Sequence, residues 1–249
     1  MSALTVRDLH FSYPEAPVLQ GLNLTIAPGE HLGVIGPNGV GKTTLFHSIC
    51  GVLKPTGGSI ELFGKPVKAG RFHPEVGLVF QYPDDQLFSP TVWDDVAFGP
   101  LNMGLSLDEV EQRTEAALRE TGMLAFRERA PHHLSGGQKR MIAIAGIRAM
   151  QPQVVLYDEP SANLDIRARR QLIKFIQNSA ETVLVSSHDL ELILEVSQRV
   201  ILIDHGKIIA DGDPVTIMGD DDLMETHGLE RPHSLRPHVH APTAQPHFH

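Results

Sequence analysis

The most constraining feature of this chain is the glycine-rich segment at residues 36–43, Gly-Pro-Asn-Gly-Val-Gly-Lys-Thr. It matches the pattern G-x-x-x-x-G-K-[ST], follows the apolar run His-Leu-Gly-Val-Ile and precedes the helix-like run Thr-Thr-Leu-Phe-His-Ser-Ile-Cys. Glycines allow successive backbone N–H groups to turn inward, and a following helix adds the positive end of its dipole. The segment is therefore predicted to be a phosphate-binding loop between a strand and a helix.

In a loop of this kind, the lysine contacts the β- and γ-phosphates of a nucleotide and the following hydroxyl binds Mg²⁺. Lys42 and Thr43 occupy these positions. The predicted nucleotide-binding residues of the loop are Gly36, Pro37, Asn38, Gly39, Val40, Gly41, Lys42, Thr43 and Thr44.

The pattern of the rest of the chain predicts an α/β fold. Short β-branched runs at residues 31–36, 154–158, 182–187 and 199–204 alternate with helix-like stretches, which predicts a largely parallel sheet with ligands at the carboxyl ends of its strands. Alternating segments in the first sixty or so residues predict an antiparallel β-layer beside it. Residues 91–150 are predicted to form an inserted helical subdomain, with Ser106 capping one of its helices.

Composition excludes several classes of protein. The single cysteine, Cys50, cannot form an internal disulfide, so a secreted disulfide scaffold is excluded and a reducing compartment is expected. No apolar run approaches the ~18 residues of a membrane span, and the first residues lack the pattern of a signal peptide. A net charge of −9 disfavours nonspecific binding to nucleic acid.

A second candidate for phosphate chemistry lies at residues 154–159, where four mostly apolar residues lead to Asp158 and Glu159. This pattern predicts a buried strand that carries two carboxylates to the ligand edge of the sheet. Asp158 is placed to hold Mg²⁺, and Glu159 is placed to accept a proton from an attacking water. An apolar strand ending in two acids is more often a solvated strand end, but the phosphate-binding loop favours the functional interpretation.

Residues 134–138 read Leu-Ser-Gly-Gly-Gln and precede another helical run. Ser135 is predicted to cap that helix, with two glycines behind it, which makes a second helix terminus suited to an anion. A single nucleotide can use both sites only if the second comes from another subunit.

Together, residues 36–43, 134–138 and 158–159 resemble the ATP-binding-cassette (ABC) ATPases over nearly all of residues 1–215. The resemblance implies a P-loop NTPase fold, ATP and Mg²⁺ as cofactors, and a homodimer. In that family two subunits pack head to tail and trap ATP between the phosphate loop of one and the signature of the other. The residues assigned by this resemblance to the signature contact are Ser135, Gly136, Gly137 and Gln138.

Further positions are assigned by the same resemblance. Tyr13 matches the aromatic residue that stacks on adenine, and Gln81 matches the glutamine that senses Mg²⁺ and links to the transmembrane partner. His188 matches the histidine that contacts the γ-phosphate. Residues 161–165 match the segment that crosses the dimer interface, with Asn163 where glycine is more usual. The catalytic assignments are Lys42, Glu159 and His188.

Residues 79–92 and 94–100 are similar to the energy-coupling-factor group of importers, particularly the ATPases for cobalt and nickel uptake. In that group this region forms a groove for coupling helices of a transmembrane subunit, and those helices carry arginines. Asp84 and Asp85 are plausible carboxylate partners for them. A substrate-binding membrane subunit is the other expected partner, and the chain is expected at the cytoplasmic face of the cell membrane.

The ATPase domain is assigned to residues 1–226 and a tail, disordered by itself, to residues 227–249, which are rich in proline and histidine. Imidazole suits Ni²⁺, Co²⁺ and Zn²⁺, so a metal-buffering tail and a tail without a specific role both stay open. The candidate ligands are His238, His240, His247 and His249.

The sequence thus predicts the ATP-hydrolysing subunit of an importer, with cobalt ahead of nickel as the substrate. The alternatives are a soluble ABC ATPase acting on DNA or ribosomes, an energy-coupling subunit for a vitamin, and a metal-storage protein that uses the tail. The first is disfavoured because the chain has one copy of each motif and no long coiled-coil insertion.

Overall fold

The computed structural model describes residues 2–236. Their strands are β1 (Leu4–Tyr13), β2 (Ala16–Ile26), β3 (His31–Ile35), β4 (Gly57–Leu62), β5 (Lys65–Pro66), β6 (Val76–Val79), β7 (Val154–Asp158), β8 (Thr182–Ser186), β9 (Arg199–Asp204) and β10 (Lys207–Gly212). Their α-helices are α1 (Lys42–Ile49), α2 (Val92–Asn102), α3 (Leu107–Glu120), α4 (Gly136–Ala149), α5 (Ile166–Gln177), α6 (Leu190–Val196), α7 (Pro214–Met218) and α8 (Asp221–Thr226).

The central sheet has the strand order β10-β9-β3-β8-β7-β6, and its strands are parallel except for β10, which pairs antiparallel with β9. Every residue of β3, β7 and β8 is buried. Such strands are covered on both faces, which explains why they read as continuous apolar runs rather than as alternating ones. The largely parallel core sheet predicted from the sequence is confirmed, with β10 as its one antiparallel strand among residues 2–236, and the carboxyl ends of β3, β7 and β8 share one edge.

Two apolar layers cover this sheet. Because successive side chains on a strand point to opposite faces, Leu156 packs beneath the β-layer and α1, whereas Val155 and Tyr157 pack against the helices. The β-layer is a second, antiparallel sheet with the order β2-β1-β4-β5. This antiparallel subdomain is also confirmed.

Helices α2, α3 and α4 form the helical subdomain within the segment predicted for it. Ser106 accepts a hydrogen bond from the backbone N–H of Glu109, the predicted cap of α3. Ser135 and Gln138 form a reciprocal capping box at the start of α4, in which each side chain bonds the other's backbone N–H. No helix among residues 2–236 is long and apolar enough to cross a membrane.

Residues 227–236, which the sequence assigned to a disordered tail, lie against the ATPase body. Nδ1 of His227 is 2.7 Å from Oδ2 of Asp204 at the end of β9, and the Ser234 hydroxyl donates a 2.6 Å hydrogen bond to Glu191 in α6. Leu229 and Leu235 pack against the apolar layer of the helices. The boundary at residue 226 is thus too early, because two leucines spaced six apart supply an apolar contact within a polar segment. The candidate metal ligands of the tail lie outside the described residues.

Candidate functional site

The phosphate loop joins β3 to α1 in the order that the sequence predicts. Gly36 has φ of 147°, and a Cβ there would lie 2.1 Å from the carbonyl oxygen of Ile203 on the neighbouring strand β9. Gly41 has φ of 107° and caps α1 without a side-chain hydrogen bond. The first N–H groups of α1 are consequently free of side-chain caps and available to an anion.

Lys42 reaches back over this loop. Its ammonium donates hydrogen bonds to the carbonyl oxygens of Gly36 at 2.7 Å and Pro37 at 2.9 Å. Burial lowers the pKa of Lys42, while the nearby charges of Glu159 and Asp158 act in the opposite direction. A desolvated cation held in this way is prepared to neutralise phosphate charge.

Asp158 lies at the end of β7, where two hydroxyls fix its carboxylate. Thr43 donates to Oδ2 at 2.7 Å, and Ser186, at the end of β8, donates to Oδ1 at 2.6 Å. Gln81 lines the same cavity. A carboxylate, a hydroxyl and an amide oxygen are the hard oxygen donors that Mg²⁺ prefers, so the residues present fit that ion.

Glu159 follows in a left-handed conformation with φ of 45°. Its backbone N–H donates to the carbonyl oxygen of Ser186 at 3.0 Å, and its Oε2 accepts a 3.0 Å hydrogen bond from the N–H of His188. Oε1 is buried without a hydrogen bond, although Nε2 of His188 lies 3.1 Å away in unfavourable geometry. Oε1 is thus the carboxylate oxygen without a hydrogen bond, on a residue that lines the nucleotide cavity.

These groups surround one cavity of about 390 Å³. Tyr13 stands at its rim, 48% exposed, with its ring edge-on to Phe11 at 5.0 Å between centroids. An exposed aromatic ring next to the phosphate-binding loop could stack on the planar base of a nucleotide. The residues that line the cavity are Tyr13, Val18, Asn38, Gly39, Gly41, Lys42, Thr43, Thr44, Gln81, Asp158, Glu159 and His188.

The signature residues are placed elsewhere. Ser135 and Gly136 are exposed at the N-terminus of α4, and residues 135–138 do not line the nucleotide cavity of the same chain. Within one chain the phosphate loop and the signature residues thus lie at separate places. In residues 161–165, Asn163 has φ of 60° and Asp165 caps α5. The left-handed backbone at Asn163 explains why glycine suits this position and why asparagine replaces it at low cost.

A larger apolar cavity of about 510 Å³ lies beside residues 80–87, called the glutamine segment below. It is lined by exposed aromatic side chains, including Phe72, Phe88 and Phe98, and by the carboxylate residues Asp85 and Asp95. Asp84, which the sequence groups with Asp85, instead forms a 2.6 Å ion pair with Lys139.

Sequence reasoning missed two residues of the site. Ser186 orients Asp158, and Arg140 holds the backbone of the glutamine segment from α4. A serine at the end of an apolar strand gave a weak signal for the first. An arginine beside the signature is ordinarily read as a solvated surface residue, so nothing in the pattern indicated the second.

Comparisons with known proteins agree with this geometry. The ABC transporter family matches residues 19–162. A protein from Synechocystis sp. assigned as an ABC transporter ATP-binding protein is 56% identical, over 94% of this chain and 83% of its own length. The energy-coupling factor transporter ATP-binding protein EcfA of Methanothermobacter thermautotrophicus is 44% identical, over 92% and 76%.

Among solved structures, CbiO1 of Clostridium perfringens, part of the ABC transporter complex CbiONQ, superposes with a TM-score of 0.80 at 34% identity. The superposition covers 90% of this chain and 94% of CbiO1. The predicted P-loop fold and the predicted family are both confirmed, and the chain belongs to the ABC transporter family as an ATPase of the energy-coupling-factor type.

Proposed function

We propose that this ATPase is the energy-coupling subunit of an importer for a transition-metal ion, with cobalt as the first candidate substrate and nickel as the second. The observation that carries the coupling role is the apolar cavity of about 510 Å³, called the docking cavity below. Phe80 lines it, while the next residue, Gln81, lines the nucleotide cavity. The similarity of residues 79–92 and 94–100 to cobalt and nickel importers, and the structural likeness to CbiO1, support the substrate.

Within the nucleotide cavity, the residues take complementary roles. Lys42 and His188 neutralise charge on the transferred phosphoryl group, and Oε1 of Glu159 accepts a proton from the attacking water. Tyr13 stacks on the adenine. Thr43, Asp158 and Gln81 would hold Mg²⁺, which would supply positive charge to offset the negative charge of the phosphates.

The functional unit is a homodimer. The exposed signature of one chain, Ser135 to Gln138, would complete the nucleotide cavity of a second copy, and the second copy would do the same in return. Such an arrangement is a two-fold contact, which uses the same surface of both subunits. ATP then closes the dimer and hydrolysis reopens it, moving the two docking cavities relative to each other.

The docking cavity fits a helix from a transmembrane partner. Its aromatic lining would bury the apolar face of a helix, and Asp85 would pair with a basic side chain. The ATPase would thus lie peripherally at the cytoplasmic face of the membrane, together with a substrate-binding membrane subunit. An acidic chain of net charge −9 supports this partner over nucleic acid.

Reconstitution tests the proposal. The chain is produced with the transmembrane proteins encoded beside its gene, and the purified complex is placed in vesicles that enclose ATP and Mg²⁺. We expect ATP-dependent uptake of radioactive Co²⁺ that exceeds uptake of Ni²⁺, and we expect none with Lys42→Ala. Uptake of a vitamin, with no uptake of either metal, would show that the substrate is the vitamin and refute the proposed metal substrate. ATPase activity stimulated by DNA or ribosomes, with no membrane partner bound, would refute the coupling role.

A further inference from the structure

Arg140 is a charged residue in the middle of the fold. It lies in α4, five residues after the helix cap Ser135, and is 1% exposed. Within residues 2–236, no carboxylate lies within ion-pair distance of its guanidinium. Burial lowers the pKa of Arg140 to about 10, so it stays protonated at neutral pH. A buried cation without a counter-charge is costly, and its retention calls for an explanation beyond packing.

Backbone carbonyls replace the missing carboxylate. One amino group of the guanidinium donates to the carbonyl oxygen of Phe80, and the other donates to that of Gln81 at 2.5 Å. The planar fork of an arginine suits two adjacent acceptors, a geometry that lysine does not reproduce. The side chain thus fixes the two peptide groups that flank the Cα of Gln81.

Other contacts tie the same segment to α4. The Gln86 side chain accepts a 3.1 Å hydrogen bond from the N–H of Phe80 and donates a 2.8 Å bond to the carbonyl oxygen of Ala143. Lys139 pairs with Asp84. Because Arg140 is buried and the ion pair of Lys139 is exposed, water weakens the guanidinium contact less than it weakens the ion pair.

The held segment has two faces. Gln81 lines the nucleotide cavity, whereas Phe80, Asp85 and Gln86 line the docking cavity. The helix that holds it begins at the signature. A shift of α4 would therefore move the docking cavity, the backbone of Gln81 and the signature together.

From these contacts, and from the proposed role of Gln81 at Mg²⁺, we infer that Arg140 is a positioning residue that sets the Gln81 backbone relative to the signature helix and thereby controls Mg²⁺-dependent hydrolysis. Arg140 touches neither nucleotide nor metal. It acts through the carbonyls of Phe80 and Gln81.

The test uses the full chain with Arg140→Met, which keeps an unbranched apolar stem and removes the donors, and Arg140→Lys, which keeps the charge and loses the fork. We expect the Mg²⁺ concentration for half-maximal ATPase to rise about tenfold in Arg140→Met, with a smaller rise in Arg140→Lys. Binding of a fluorescent ATP analogue without Mg²⁺ is expected to stay within twofold of the wild type. In the background of Gln81→Ala, Arg140→Met is expected to add no further shift.

The matched control is Arg148→Met in the same helix, since Arg148 pairs with Glu181 and Glu120 away from the cavity. It is expected to lower the melting temperature without changing the Mg²⁺ dependence. Hydrogen exchange gives a readout independent of Gln81: amides of residues 80–87 should exchange faster in both Arg140 variants than in Arg148→Met.

The outcomes separate the two ideas. Suppose that residues 80–87 exchange faster in the Arg140 variants but Gln81→Ala does not change the Mg²⁺ dependence of ATPase. The positioning contact would then stand, whereas the Mg²⁺ role of Gln81 and the catalytic part of this inference would be refuted. Unchanged exchange in Arg140→Lys, the variant expected to fold, would overturn the inference, as would a Mg²⁺ dependence equal to the wild type in both variants.

Discussion

The hydroxyl of Thr43 donates a 2.7 Å hydrogen bond to Oδ2 of Asp158, although the two residues are 115 positions apart in the chain. The contact joins the phosphate loop on β3–α1 to the carboxyl end of β7. It places the two oxygen donors proposed for Mg²⁺ side by side before any ion arrives.

This pair gives a first prediction. Thr43→Ser keeps the hydroxyl and is expected to retain ATPase activity within a fewfold, whereas Asp158→Asn removes the charge that holds the cation and is expected to lower kcat by about a hundredfold or more. Steady-state ATPase assays over a range of Mg²⁺ concentrations measure both. Near-normal hydrolysis by Asp158→Asn would rule out its proposed role.

A second prediction concerns the buried oxygen of Glu159. Glu159→Gln keeps the shape and removes the base, so we expect ATPase to fall by roughly 10²–10⁴ while ATP still binds. The variant should accumulate as an ATP-bound dimer, which size-exclusion chromatography with light scattering detects. Glu61→Gln, on the distant strand β4, serves as the control and should hydrolyse ATP and dissociate like the wild type. A monomer with ATP present would contradict the proposed dimer.

The docking cavity supplies a third prediction, based on the different surroundings of two neighbouring acids. Asp85 lines the cavity, whereas Asp84 pairs with Lys139. We expect Asp85→Lys to abolish binding of the transmembrane partner while ATPase of the isolated subunit stays unchanged. Asp84→Asn is expected to have a much weaker effect on partner binding. Equal transport by Asp85→Lys and the wild type in vesicles would show that this carboxylate does not contact the partner.

The segment 227–236 gives a prediction about pH. Hydrogen bonds from Ser234 lower the pKa of Glu191, so this contact stabilises the fold above the ordinary glutamate pKa of about 4.3, and the gain is lost as pH falls through the lowered pKa. Ser234→Ala should reduce the free energy of unfolding by about 0.5–1 kcal/mol at pH 7. The difference from the wild type should shrink below about pH 4. Urea titrations at several pH values measure it, with Ser59→Ala as an exposed control that shows no pH-dependent difference.

The last prediction separates this segment from the histidines beyond it. A chain ending at Arg236 is expected to keep the melting temperature of the full chain, while one ending at Thr226 loses the packing of Leu229 and Leu235 and melts several degrees lower. If the tail buffers metal, calorimetric titration with Ni²⁺ and Co²⁺ should show binding to the full chain that the chain ending at Arg236 lacks. Equal binding by the two chains would remove the buffering role.

Local patterns predicted the central strands and the phosphate loop because neighbouring residues determine both structures. A continuous apolar run must be buried, and closely spaced glycines let successive backbone N–H groups point at one anion. Asp158 and Glu159 were found because parallel strands deliver their ends to one edge. Arg140 was missed because its burial depends on two carbonyls sixty positions away, which no short window contains. The contacts of residues 227–236 were missed for a similar reason, since their partners Glu191 and Asp204 lie far away in the chain.

The capping box of α4 has a consequence for association. The oxygen of Ser135 accepts from the N–H of Gln138, which uses one lone pair and leaves the hydroxyl proton able to donate outward. The signature is thus already ordered in the single chain, with its serine rotamer fixed by the helix it caps. The proposed dimerisation on ATP would then lose little conformational entropy at this point, so more of the interaction free energy of the nucleotide would remain to hold two subunits together.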